Sequence, residues 1–83
     1  MVKILPVNIK IIRKVKKFGL EKKWEKQLKR LEDNPRHPGL NLELLKPKKM
    51  GIYSIRLDRK FRVLLFFRNQ KMVEILNITV HYH

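Results

Sequence analysis

Two arginines six residues apart, Arg56 and Arg62, each stand inside an apolar run: Ile55-Arg56-Leu57 and Phe61-Arg62-Val63. Side chains of an extended strand point to alternate faces. Ile55 and Leu57 then share one face, Val63 and Leu65 share one face, and each arginine points away. A three-residue turn over 58–60 pairs Arg56 with Arg62 and Ile55 with Val63. An even-numbered turn would set Leu57 beside Arg62 and split the apolar set. Like charges across a strand pair repel, so the arrangement makes sense when an anion lies on that face. A guanidinium fork holds two phosphate oxygens at once, which the point charge of lysine cannot do.

The whole chain leans the same way. It has 83 residues, with 21 Lys and Arg against 7 Asp and Glu, a formal net charge of +14. Self-repulsion of that size opposes folding, and a polyanionic partner relieves it. Nucleic acid, an acidic protein, or both are the expected partners. There is no cysteine. Disulfides and thiolate metal sites are thereby excluded, and a reducing compartment fits. Three histidines without an HxxxH spacing argue against a metal site, so neither metal nor cofactor is expected. His37, between two prolines, reads as loop surface. The start, Met1-Val2-Lys3-Ile4-Leu5-Pro6, lacks the apolar run of a signal peptide, and no stretch is long enough for a membrane span. A cytoplasmic protein that does not bind membranes is the expectation.

The elements that must hold the arginines follow from periodicity. Val2 to Val7 is a candidate first strand, with Pro6 placing it at an edge. Asn8 is a good helix N-cap. Ile11, Ile12, Val15 and Phe18 then recur at helical spacing, opposite Arg13, Lys14, Lys16 and Lys17. Gly19 is placed to end that helix. Leu20, Trp24, Leu28 and Leu31 form a second stripe that ends before Asn34-Pro35. Lysines cover the outer helix faces, where they would rest on RNA or pair with Glu21 and Glu25. A breaker-rich loop, residues 34–39, leads into Leu40–Leu45, extended or a short strand. Gly51–Leu57, Phe61–Phe67 and Met72–Val80 are rich in β-branched and aromatic residues and read as a three-stranded meander. Helices first and strands after predict one α+β domain over 1–83, with the helical hairpin on one face of the sheet. Trp24, Tyr53 and Phe61 fall on the core side; Phe66 shares the face of Arg62.

Several segments in the second half resemble RelE/YoeB-type toxins of the RelE/ParE toxin-antitoxin superfamily. They are Asn34-Pro35-Arg36-His37-Pro38-Gly39-Leu40, Glu43-Leu44-Leu45-Lys46, the hairpin from Gly51 to Phe66, and Asn77-Ile78-Thr79-Val80-His81-Tyr82. The likeness runs from Asn34 to the end; the first 33 residues agree in element order alone. It implies a RelE-like fold and a metal-independent endoribonuclease that cuts mRNA in the ribosomal A site. It also implies an acidic antitoxin as partner. By position, Glu43 resembles the general base, Arg62 the phosphate-binding arginine, His81 the general acid, Tyr82 its neighbouring tyrosine and Arg56 a second basic residue. The superfamily also holds ParE-type members that poison gyrase without a ribonuclease site. A ParE-like or inactive relative that binds gyrase or an antitoxin is therefore the alternative.

The chemistry suits those residue types. RNA carries its own nucleophile, the 2′-hydroxyl. Cleavage needs a base for its proton, a cation for the charge that develops on phosphorus, and an acid for the leaving 5′-oxygen. A carboxylate among cations stays ionised, and imidazole is the side chain with a pKa near neutrality. Lys46, Lys48, Lys49, Arg59 and Lys60 are expected to contact the phosphate backbone, which positions RNA without reading its sequence. Phe66 is expected to stack a base or to meet the antitoxin.

Overall fold

The computed structural model describes residues 1–80. Asn8 opens the first helix, α1 (Ile9–Lys17), by accepting the Lys10 N–H at 2.8 Å. Ile11 and Val15, four apart, are its buried residues. Helix α1 stops where Gly19 takes φ +65°, a left-handed turn that costs glycine little. Phe18 lies outside the core at 46% exposure, because the helix has already ended at Lys17. Its ring instead meets Phe61, centroid to centroid at 5.1 Å. The second helix, α2 (Glu21–Asp33), buries Trp24, Gln27 and Leu31. The salt links of α2 differ from expectation. Among the described residues Glu21 and Glu25 form no ion pair; Lys29 meets Asp33 at 3.7 Å and Lys23 reaches Asp58 at 3.0 Å.

Five strands form one sheet in the order β1-β5-β4-β3-β2. They are β1 (Lys3–Ile4), β2 (Glu43–Leu44), β3 (Ile52–Arg56), β4 (Phe61–Asn69) and β5 (Met72–Val80). The expected meander is β3-β4-β5, and the expected α+β class is met. Two short strands widen the meander. β2 pairs antiparallel with β3, while β1 lies parallel to β5 and makes the sheet mixed. β1 is shorter than the apolar run over 2–7. Its last bond to β5 is Leu5 N–H to Val73 O at 2.9 Å, and Pro6, the next residue, has no N–H to extend the ladder.

The β3–β4 hairpin has the expected register, with Arg56 opposite Arg62 and Ile55 opposite Val63. Its three-residue turn is held by one carboxylate. Asp58 Oδ1 accepts the N–H groups of Lys60 and Phe61 at 2.8 and 2.7 Å. Leu31, Leu40, Ile55, Val63, Leu65 and Val73 are fully buried between the helices and one sheet face. A bulge lets β5 keep that face apolar. Leu64 opposes Asn77 and Leu65 opposes Ile75, so Leu76 is the extra residue. Ile75 and Ile78, three apart, are both buried as a result.

Candidate active site

The face of the sheet away from the helices carries the candidate residues. Glu43 lies opposite Ser54 on β3, Arg56 lies opposite Arg62, and Arg62 lies opposite Thr79 on β5. Directly opposed residues point to the same face, so Glu43, Ser54, Arg56, Arg62 and Thr79 form one group on the face away from the helices. The two arginines differ sharply in environment. Arg56 is exposed, whereas Arg62 retains 5% of its accessible surface. Its guanidinium is fixed by two hydrogen bonds: Nε–H donates to Ser54 Oγ at 2.9 Å, and Nη2–H donates to Asn41 O at 2.9 Å. The Glu43 carboxylate stands 3.7 Å from Nη2, with half of its side chain in solvent. That is ion-pair range, beyond a good hydrogen bond. The site is thus a fixed cation beside a carboxylate that remains open to a ligand.

Three residues that the sequence did not single out build this arrangement. Ser54 is the one aliphatic hydroxyl within the β3 run Ile52-Tyr53-Ser54-Ile55, and it is 1% exposed. A buried hydroxyl needs a partner, and Arg62 is that partner. Asn41 adopts φ 48°, a conformation that asparagine tolerates better than most residues, and its carbonyl faces the guanidinium. Gln27 sits within the apolar stripe of α2. Its Nε2 donates to Gly39 O at 3.0 Å and to Arg56 O at 2.6 Å, while its Oε1 accepts from Arg30 Nη1 at 3.0 Å. Gln27 therefore ties the end of β3 to the tight turn Pro38–Leu40 that precedes Asn41. The same turn is capped by His37, whose Nδ1 accepts the Gly39 N–H at 2.9 Å, so this histidine has a structural task. A Cβ on Gly39 would come within 2.6 Å of Arg30 Nη1 and 3.0 Å of His37 Nδ1, so a larger residue there would displace the end of the Arg30 side chain and crowd the His37 ring.

The expected phosphate contacts fall into two groups. Arg59 and Lys60 lie exposed in the β3–β4 turn, at the Arg56 end of the face. Lys60 Nζ leans over the Phe61 ring at 5.5 Å. Asp58 shapes this turn, and its pKa lies below the usual carboxylate value. Burial raises it, but the Phe61 N–H, Lys23 and the Lys60 N–H together outweigh that effect. Lys46, Lys48 and Lys49 lie exposed between β2 and β3, at the other end of β3. Phe66, opposite Ile52, is half-buried near that end, where a Cβ on Gly51 would touch its ring at 3.4 Å. Arg62 and Phe66 are four residues apart along β4, about 13 Å at strand spacing. His81 and Tyr82 lie outside the described residues. Among the described residues no cluster of three or more His, Asp or Glu could hold a metal ion, and no helix is long and apolar enough to cross a membrane.

No protein-family model matches the chain, and no curated protein does. Its fold, however, has solved counterparts. The YoeB/ParE toxin from Agrobacterium tumefaciens superposes with a TM-score of 0.74 at 15% identity, covering 98% of this chain and 100% of that one. YoeB in the YoeB-YefM complex from Staphylococcus aureus gives 0.71 at 22% identity, covering 99% of each chain. YafQ from E. coli strain BL21(DE3) gives 0.73 at 11% identity, covering 98% and 92%. The chain has the fold of the RelE/YoeB-type toxins.

Proposed function

We propose that this protein is the toxin of a type II toxin-antitoxin system, a metal-independent endoribonuclease that cuts mRNA at the ribosomal A site and so stops translation. The observation that carries the proposal is Arg62, held by Ser54 and Asn41 beside the half-exposed Glu43 carboxylate on the helix-free face. Glu43 takes the 2′-hydroxyl proton as the 2′-oxygen attacks phosphorus. Arg62 stabilises the charge that builds on the non-bridging oxygens. The bond from phosphorus to the 5′-oxygen breaks, and His81 donates a proton to that oxygen, with Tyr82 beside it. The products are a 2′,3′-cyclic phosphate and a 5′-hydroxyl. Arg56, with Arg59 and Lys60 at one end and Lys46, Lys48 and Lys49 at the other, grips the RNA backbone. Phe66, about 13 Å from Arg62 along β4, stacks a base of the bound RNA.

An acidic antitoxin completes the reading. The chain carries +14, and its Staphylococcus aureus counterpart is one component of a toxin-antitoxin complex. A second reading draws on the burial of Arg62, whose bonds to Ser54 and Asn41 would also suit a purely structural arginine. On that reading the protein is ParE-like or inactive and binds gyrase or an antitoxin without cutting RNA. Mapping message cleavage on translating ribosomes, wild type against Arg62→Ala, separates the two. Codon-phased cuts that end in a cyclic phosphate, and that vanish in the variant, support the nuclease. Uncut message in both would refute it.

A further inference from the structure

Glu74 has no part in the chemistry proposed above, yet it stands on the sheet face assigned to RNA. Its neighbours Val73 and Ile75 are buried toward the helices, so Glu74 points the other way, as Arg62 and Phe66 do. Phe66 on β4 lies directly opposite it, which brings the two Cβ atoms to about 5 Å. Of the 7 acidic residues, Glu43 and Glu74 are the two that stand on strands. Glu43 has a task there. A second carboxylate on a face that takes a polyanion repels phosphate, so a surface kept for backbone contact alone would not carry it.

Arg68 Nε lies 2.7 Å from Glu74 Oε1, with the two side chains 57% and 38% exposed. An exposed pair of this kind contributes little to folding. It does, however, fix the carboxylate, while Oε2 meets no cation among the described residues. Arg68 and Glu74 line an open cleft of about 480 Å³, and Phe66 lines another of about 640 Å³. Ring and carboxylate are therefore both reachable from solvent.

A base laid on the Phe66 ring can turn its Watson–Crick edge to Glu74. A carboxylate offers acceptors only, so it selects an edge made of donors. Guanine presents two adjacent donors, N1–H and N2–H. Adenine and cytosine set a ring-nitrogen acceptor beside the amino group, and uracil flanks its N3–H with two carbonyl oxygens. Each of those acceptors would face the lone pairs of the carboxylate.

We propose that Phe66, Glu74 and Arg68 form a guanine-reading subsite: Phe66 stacks the base, the Glu74 carboxylate accepts its N1–H and N2–H, and Arg68 holds the carboxylate in place. This deepens, and rests on, the reading that this face binds RNA. Phe66 is about 13 Å from Arg62 along β4, so the base that is read flanks the linkage at Arg62 rather than belonging to it.

The test uses the full chain and 2′-O-methyl uridine heptamers with one central guanine, hypoxanthine or adenine, bound in fluorescence anisotropy. The 2′-O-methyl groups remove the nucleophile, so binding is read without cleavage. The guanine oligomer should bind about ten-fold or more tightly than the adenine one, the discrimination expected of a bidentate pair. Hypoxanthine keeps N1–H but lacks the 2-amino group, and should fall between them. Glu74→Gln should bring guanine down to the adenine level and leave adenine binding unchanged, whereas Phe66→Leu should weaken all three. Equal binding of guanine and adenine by the wild type would overturn the proposal, and so would equal binding of guanine and hypoxanthine; neither result depends on a variant folding. A guanine preference that survives Glu74→Gln would also overturn it, leaving Arg68 and Glu74 a salt link alone. If message is cut on ribosomes but guanine is not preferred, the subsite proposal fails alone. If guanine is preferred through Glu74 but no message is cut, the nuclease reading fails alone.

Discussion

Replacing Arg62 with methionine separates a charge kept for chemistry from one kept for folding. The guanidinium makes two hydrogen bonds of 2.9 Å, to Ser54 Oγ and Asn41 O. Bonds from a charged donor contribute roughly 1.5–3 kcal/mol each. Against them stands the desolvation of a cation left 5% exposed, a cost of several kcal/mol. The nearby Glu43 carboxylate, 3.7 Å away and half in solvent, adds at most about 1 kcal/mol. These contributions nearly cancel. Methionine fills a similar volume and removes the buried charge, but it leaves the Ser54 hydroxyl without a partner, at about 1–2 kcal/mol. Arg62→Met should therefore unfold in urea with a stability loss of about 2 kcal/mol or less, and adding Ser54→Ala should recover part of it. Cleavage should suffer far more. Loss of one preorganised charge at the developing phosphorane costs about a hundred- to thousand-fold in rate. The assay is single-turnover cleavage of message on programmed ribosomes at a temperature where both proteins are folded, with urea unfolding alongside. A variant that cuts within three-fold of wild type would refute the assignment. So would a stability loss above about 5 kcal/mol, which would make Arg62 a structural element whose activity loss follows from unfolding.

Glu43→Gln should slow cleavage at least a hundred-fold while RNA affinity stays level or rises, because an anion leaves the site; binding by fluorescence anisotropy and single-turnover rates would show this, and parallel losses in both would contradict a base role. Gln27→Leu should cost about 2–3 kcal/mol in urea unfolding, since it strands the carbonyls of Gly39 and Arg56 and the Arg30 donor together; a loss under 0.5 kcal/mol, taken as roughly neutral, would mean the tie does not matter. Asp58 has a lowered pKa in the folded chain, so its contribution is full above the ordinary carboxylate pKa near 4 and fades as pH falls through the folded value. Asp58→Asn should then flatten the acid limb of the stability curve below about pH 4; an unchanged limb would assign acid unfolding to other carboxylates. RNA affinity should fall steeply between low and moderate salt, with a slope set by the number of phosphate contacts; a flat response would point to an apolar protein partner.

The hairpin was legible because two constraints agree: the apolar alternation in Ile55-Arg56-Leu57 and Phe61-Arg62-Val63 admits one register, and Asp58-Arg59-Lys60 supplies a turn of the right length. Helix limits were legible for the same kind of reason, with Asn8 and Gly19 marking the ends of α1. The bulge at Leu76 was not. Ile75 and Ile78 are three apart, a spacing that breaks strand alternation and is reconciled only by the extra residue. β2 was half-legible, as two residues seldom declare a strand until β3 lies alongside. Within the site, residue types pointed to Arg62 and the resemblance pointed to Glu43. Neither could reveal that Arg62 is held by Ser54 and by the Asn41 carbonyl, because a backbone acceptor leaves no trace in the sequence.

The opposed arginines acquire a physical account from their unequal burial. A pair of exposed guanidinium groups across a ladder would simply repel. Here one is drawn down against Ser54, Asn41 and Glu43, and the other stays in solvent, where water and salt screen it. The buried member is rigid, so it can meet a transition state without reorganising. On the proposed reading, the exposed member is free to follow the RNA backbone. Gln27 links the two through the main chain, with one amide nitrogen holding the Arg56 carbonyl and the turn that leads to Asn41. Cutting that tie would shift Arg62 and Arg56 relative to one another while leaving both charges in place. A site that works by geometry should lose cleavage in Gln27→Leu yet keep most of its RNA affinity, whereas a site that works by net charge should lose neither.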